Sequence, residues 1–169
     1  MMSQFKRLLI ASTWFQVIWF VAVVGSEQWQ WLTLACLLIT LVLSARLSAI
    51  VWQKWSLLTG IGIGIDMVNL HLGILIFDTR FLPLWLIVLW AMFMWYAQFL
   101  VPVVSRYPLA LVSLIGGLAG SLSYLAGYKL GAVQLGYSMS LTFTWLFFVW
   151  AAITALCIRS LQDEEARMG

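Results

Sequence analysis

Long apolar runs alternate with short polar connections along the whole chain. The runs fall at about 8–25, 29–46, 55–77, 81–101, 108–130 and 137–158. The connections contain "GSEQ", "SARLSAIVWQK", "DTR", "PVVSRY" and "GAVQLG", and the chain closes on the polar tail "RSLQDEEARMG". A membrane-crossing helix needs about 20 predominantly apolar residues, so the pattern predicts an all-α polytopic membrane bundle of six helices. The start, "MMSQFKRLLIASTWFQVIWFVAVVGSEQ", is positive and then apolar, like a signal peptide. Its apolar run of about 18 residues exceeds the usual h-region and includes Trp14, Gln16 and Trp19, so it reads as a retained first span.

Composition agrees. The chain has 169 residues, 64% hydrophobic and 9% charged, with a mean hydropathy of +1.02. Soluble domains carry about 25% charged residues. The solvent is therefore lipid, and the length suits one integral membrane domain without an extramembrane one. The net charge of +3 comes from basic residues scattered between spans, a pattern that sets orientation and gives no sign of nucleic-acid binding. With six spans, Lys6, Arg7, Arg46, Lys54, Arg106, Arg159 and Arg167 share one side, against Arg80 and Lys129 on the other. The positive-inside rule places the richer side, and both termini, in the cytoplasm. Trp29, Trp31, Trp52, Trp55 and Trp85 fall near span ends, where interfacial belts form. No repeat between the halves is visible, and no linker or second domain interrupts the pattern.

The third run holds "GIGIGIDMVNLHLG", with a carboxylate and the single histidine in apolar surroundings. At helical spacing Thr59, Gly62, Asp66, Asn69 and Gly73 fall within an arc of about 80°. His71 lies about 140° from Asp66, with Ser56, Gly60, Gly64 and Met67. Two small-residue faces predict a central helix packed on both sides. Asp66 falls at the middle of its run, where an aspartate costs about 2.5–3.5 kcal/mol to insert. It must face the bundle and find a partner, or carry its proton. Gln16 is at similar depth and Asn69 one turn away, so a cluster of Gln16, Asp66 and Asn69 is expected. His71, Tyr124 and Thr142 share a second depth and predict a second polar layer, either a site or mutual satisfaction of buried groups.

Other features are less specific. Gly60 and Gly64 read as packing glycines, and Gly116–Gly120 and Gly127–Gly131 are small-xxx-small pairs suited to helix packing inside the chain, with a homo-oligomer as the alternative. The alternating glycines are no phosphate loop, because no strand precedes them and no Lys-Ser/Thr follows. Ser121 and Ser123 beside one distant histidine lack the loop and oxyanion chemistry of a protease. Gln98 reads as a tie between helices. Cys36 and Cys157 lie inside apolar runs without ligand spacing. One histidine and one intramembrane carboxylate supply no standard metal site, so neither metal nor cofactor is expected.

Four stretches carry a resemblance: "FQVIWFVAVVG" (Phe15–Gly25), the glycine-rich run ending in Asp66, "PLWLIVLW" (Pro83–Trp90) and "GSLSYLAGYKLGAV" (Gly120–Val133). Over about residues 12–133 the chain resembles a family of small bacterial inner-membrane proteins called domain of unknown function 2878. The family favours proline where this chain has Ser121, and a polar run late in the fourth span where it reads "MWYAQF", with only Gln98 clearly polar. If that run is catalytic in relatives, this member lacks the activity or does something else. Relatives tend to be encoded beside a cyclopropane-fatty-acid-synthase-like methyltransferase, flavin-dependent oxidoreductases and a stress sigma-factor system. The resemblance thus implies membrane-lipid modification, with membrane lipids and soluble or peripheral lipid-modifying enzymes as partners. Three roles stand open: an accessory or scaffold, a small carrier or channel using Asp66 at the midplane, and an integral lipid-modifying enzyme using His71 and Tyr124.

Overall fold

The computed structural model describes residues 4–47 and 50–168, with side chains to residue 162 apart from Leu47. The acidic side chains of the tail, Asp163, Glu164 and Glu165, and Arg167 of the charge count, lie outside that range. The elements are α1 (Gln4–Gly25), α2 (Gln30–Leu47), α3 (Trp52–His71), β1 (Leu75–Ile76), α4 (Leu84–Val104), α5 (Leu109–Lys129), β2 (Gln134–Leu135) and α6 (Met139–Met168). Among the described residues the fold is all-α but for those two short strands. Among the described residues α1, α4, α5 and the Met139–Gln162 part of α6 are long and apolar enough to cross a membrane. The apolar stretch of α2, Gln30–Arg46, is shorter, and α3 carries Lys54, Asp66, Asn69 and His71 along its length.

The third apolar run stops being helical at His71 rather than Phe77. Gly73 adopts φ +65°. Its N–H bonds the Leu70 carbonyl at 3.1 Å, and the Ile74 N–H bonds that of Asn69 at 2.9 Å. This is the left-handed glycine stop that closes many helices. α5 ends the same way: Gly131 takes φ +81°, with Gly131 N–H on Tyr128 and Ala132 N–H on Gly127. Gly131 is therefore a turn residue and not half of a packing pair. After each stop comes a two-residue strand, and β1 and β2 pair antiparallel, Leu75 with Leu135 and Ile76 with Gln134. The hairpins α3–β1–α4 and α5–β2–α6 thus share a helix–glycine–strand–helix plan, a likeness too short to stand out in the sequence. A Cβ at Gly131 would meet no neighbour, so Gly131→Ala carries only the backbone penalty. It is expected to cost about 1 kcal/mol, read as a small drop in the thermal midpoint of the purified protein.

At the opposite end of the bundle other connections meet. Arg106 donates to the Gln4 side chain at 3.0 Å, and Gln162 to the Ser105 carbonyl at 3.5 Å. Gln98 Oε1 accepts the Val51 N–H at 2.8 Å, tying α4 to the start of α3.

The central helix is α4, not α3. α4 packs against α1, α2, α3 and α6, while α5 lies along α6. α3 buries one face only: Leu58, Thr59, Gly62, Asp66 and Asn69. Its other face, with Ser56, Gly60, Gly64, Met67 and His71, is exposed, and a Cβ at Gly60 or Gly64 would touch nothing. By contrast, a Cβ at Gly116 would collide with Thr154, and one at Gly120 with the Trp150 ring. At Gly127 it would sit 3.6 Å from Val133 Cγ1, in ordinary contact. Of the tryptophans expected at interfaces, Trp29, Trp31 and Trp52 are exposed, but Trp85 is 4% exposed and belongs to the core.

Candidate functional site

Asp66 and Asn69 lie one turn apart on the buried face of α3, each 1% exposed. Asn69 Nδ2 donates to Asp66 Oδ1 at 3.1 Å. Asp66 Oδ2 accepts the Trp90 indole N–H from α4 at 2.7 Å and the Tyr124 hydroxyl from α5. Asn69 Oδ1 in turn accepts the Trp145 indole N–H from α6 at 2.9 Å. One carboxylate and one amide therefore join four helices. Inside a low-dielectric bundle such a network is strong when every member is paired.

Asp66 lies near the strand end of α3 and not at its middle, because the helix stops at His71. Trp90 and Trp145 lie as near the starts of α4 and α6, and Tyr124 as near the end of α5. All sit within about 9 Å of a helix terminus at 1.5 Å per residue. The network is one layer, on the side of the bundle where β1 and β2 pair.

Two glycines make room for its aromatic members. A Cβ at Gly62 would collide with the Trp90 ring, so that indole rests directly on the α3 backbone. Gly120 seats Trp150 on α5 in the same way. The two indoles stack, with ring centroids 5.0 Å apart and planes 7° from parallel. These small residues admit indoles, not a close approach of two backbones.

Beside the network is a narrow cleft of about 60 Å³, lined among others by Phe15 and Trp19 of α1, Trp90 and Phe93 of α4, and Ser123 and Tyr124 of α5. Trp19 donates to Ser123 at 2.9 Å, bridging α1 to α5 at its edge. Trp19, Ser123, Trp90 and Tyr124 thus spend their polar atoms inside the bundle and turn apolar surface to the cleft. Its lining is apolar and aromatic. Among the described residues no three of His, Cys, Asp and Glu lie close enough to hold a metal ion.

The residues singled out from sequence are placed as follows. Asp66 and Asn69 are joined, but Gln16 is exposed on α1 and makes no hydrogen bond among the described residues. Its helix turns Ile18 and Ala22 inward instead. Tyr124 belongs to the Asp66 layer. His71 is exposed, with Nδ1 2.9 Å from the Met67 carbonyl of its own helix. Thr142 is 1% exposed, and its hydroxyl has no hydrogen-bond partner among the described residues. His71, Tyr124 and Thr142 therefore share no hydrogen bond. Cys157 is buried against Met94 and Cys36 half-buried, and both are free thiols.

Trp90 and Trp145 are the members that sequence reasoning missed. Their signal was present: a tryptophan well inside an apolar span carries an indole N–H that must find an acceptor. The same rule accounts for Trp14 on Thr40, Trp95 on Ser44 and Trp55 on the Ala91 carbonyl.

No curated protein and no solved structure matches the chain. A family model does, over residues 8–156, and its description is protein of unknown function (DUF2878). That match takes in most of the chain, the whole Asp66 layer and the cleft beside it, and the chain therefore belongs to the DUF2878 family.

Proposed function

We propose that this is a six-pass protein of the bacterial inner membrane with both termini in the cytoplasm. We assign it a non-catalytic role in membrane-lipid modification, holding an acyl chain for soluble or peripheral enzymes. Six antiparallel spans put the third and fifth connections on one side, and these are the segments that pair as β1 and β2. The same arrangement brings the N-terminus, the fourth connection and the far end of α6 together, in keeping with the Arg106–Gln4 and Gln162–Ser105 bonds. Basic residues concentrate at that end, as the positive-inside rule requires of a cytoplasmic face.

The observation that carries the accessory role is the occupancy of Asp66. Both of its oxygens accept donors from the bundle, so the acid works as a joint, and what lies beside it is an apolar aromatic cleft. An enzyme built on His71 and Tyr124 needs the two within reach; one is exposed and the other is buried on Asp66. A carrier working at the midplane is poorly served by an acid so near the end of its helix. The gene neighbourhood implied by the family resemblance points to acyl-chain modification as the setting.

The test is the total fatty-acid profile of a deletion strain under oxidative stress, complemented with wild type, Gly127→Ala or Gly127→Leu at matched protein level. Gly127 lines the cleft, and alanine there meets only ordinary contact, whereas leucine narrows the cleft. The deletion is expected to alter the modified acyl fraction. Wild type and alanine should restore it and leucine should not. An unchanged profile in the deletion strain overturns the proposal.

A further inference from the structure

A second lateral opening runs between α3 and α6, away from the aromatic cleft. One chamber of about 430 Å³ is lined by Ile61, Gly64 and Val68 of α3 and by Val149, Ile153 and Leu156 of α6, among others. A second chamber of about 260 Å³ continues toward the strand end past Leu72, Leu141 and Thr142. Trp145 lines both, and its bond to Asn69 crosses the slot between them. We propose that this groove holds one chain of an ester-linked membrane lipid, with the Thr142 hydroxyl turning about its side-chain torsion to donate to the ester carbonyl.

The inference rests on the six-span reading above, since it requires α3 and α6 to stand side by side in the bilayer. Given that, what meets the groove is hydrocarbon. From Thr142 to Leu156 it runs about 21 Å along α6. That is longer than one leaflet's half of a core about 30 Å thick, so the two chambers together can take an acyl chain from its ester to beyond the midplane, the chain passing the Trp145–Asn69 bond on its lipid side. A helix of a second copy is about 10 Å across and cannot enter a slot crossed by the Trp145–Asn69 bond. Gly64 points the same way. It lines the groove and a Cβ there touches none of the described residues, so the missing side chain leaves room that none of them fills. Independently, Thr142 lines the chamber at the strand end, is 1% exposed, and carries a hydroxyl without a partner among the described residues. Buried hydroxyls are ordinarily paired, and a hydroxyl is a good donor to an ester carbonyl at that depth.

The experiment uses the full chain in nanodiscs of phosphatidylethanolamine and phosphatidylglycerol, doped with a phospholipid carrying a mid-chain diazirine. Irradiation should place label on the 61–68 and 149–156 segments. Gly64→Leu is expected to cut that labelling about fivefold or more, the scale of a 1 kcal/mol overpacking penalty. Gly60→Leu is the matched control, one turn away, equally open and outside the groove, and should label as wild type does. Thr142→Val should lower the amount of lipid retained through purification. Equal labelling of wild type and Gly64→Leu, label spread evenly over all lipid-facing helices, or protein–protein crosslinks in the groove would each overturn the proposal. Impermeant thiol labelling of Ser138→Cys and Gln162→Cys, in intact cells and in inverted membrane vesicles, tests separately whether α6 crosses the membrane as the six-span reading requires. The two positions should be reached from opposite sides of the membrane, and labelling from the same side would remove the premise.

Discussion

Asp66→Leu is expected to produce the largest single loss of stability in the molecule. The substitution leaves the Asn69 amide, the Trp90 indole and the Tyr124 hydroxyl facing a side chain that accepts nothing. A buried donor stripped of its partner costs about 1–3 kcal/mol, while interhelical hydrogen bonds in membrane bundles average about 0.6 kcal/mol. With three donors on three helices, the combined loss is expected at about 2–5 kcal/mol. Asp66→Asn keeps the shape and one carbonyl acceptor but turns an NH₂ toward a donor, so it should fall between wild type and leucine. Thermal unfolding of the purified protein in detergent, followed by tryptophan fluorescence, gives the ranking. Variants that melt as wild type does would show that the layer does not hold the helices.

The second large effect is a contrast among glycines that look alike in the sequence. Gly62→Ala and Gly120→Ala should destabilise by about 1–3 kcal/mol each, as overpacking does, because each drives a Cβ into an indole ring. At Gly62 that ring is Trp90, so the substitution also strains the bond to Asp66. Gly60→Ala and Gly64→Ala should be neutral, or stabilising by up to about 1 kcal/mol from helix propensity, since both positions face open space. The fraction of monodisperse protein left after heating measures all four. The reverse order would mean that the exposed face of α3 is the packed one.

The same glycines show where sequence reading succeeds and where it stops. Six helices follow from six apolar runs, because helix length and apolarity are properties of the segment itself. The buried face of α3 was also legible. Thr59, Gly62, Asp66 and Asn69 are polar or small among apolar neighbours, and their helical phase picks out one side. Which helix is central was not legible. α4 is apolar around its whole circumference, and a helix without a polar face has no phase to read. Two small-residue stripes on α3 suggested two packed faces, yet a glycine records only that a side chain is absent. At Gly62 the space holds Trp90, and at Gly64 nothing in the chain fills it. The end of α3 was missed because the apolar character continues through Ile74 and Phe77, while the backbone turns at Gly73. That moved Asp66 from the supposed midplane to a layer near the helix end, and Gln16 is parted from it because α1 turns that side chain outward. Trp90 and Trp145 do not stand out in the sequence, because an indole inside an apolar run looks like one more apolar residue until its N–H is counted as a donor.

The central claim is that Asp66 holds the bundle together and takes no part in chemistry. It is tested most directly by complementing the deletion strain with Asp66→Asn and dividing the restored acyl fraction by the amount of folded protein in the membrane. The account predicts the wild-type value per folded molecule, with any shortfall explained by lower abundance. An Asp66→Asn protein that is folded and as abundant as wild type, yet leaves the deletion profile unchanged, would contradict it.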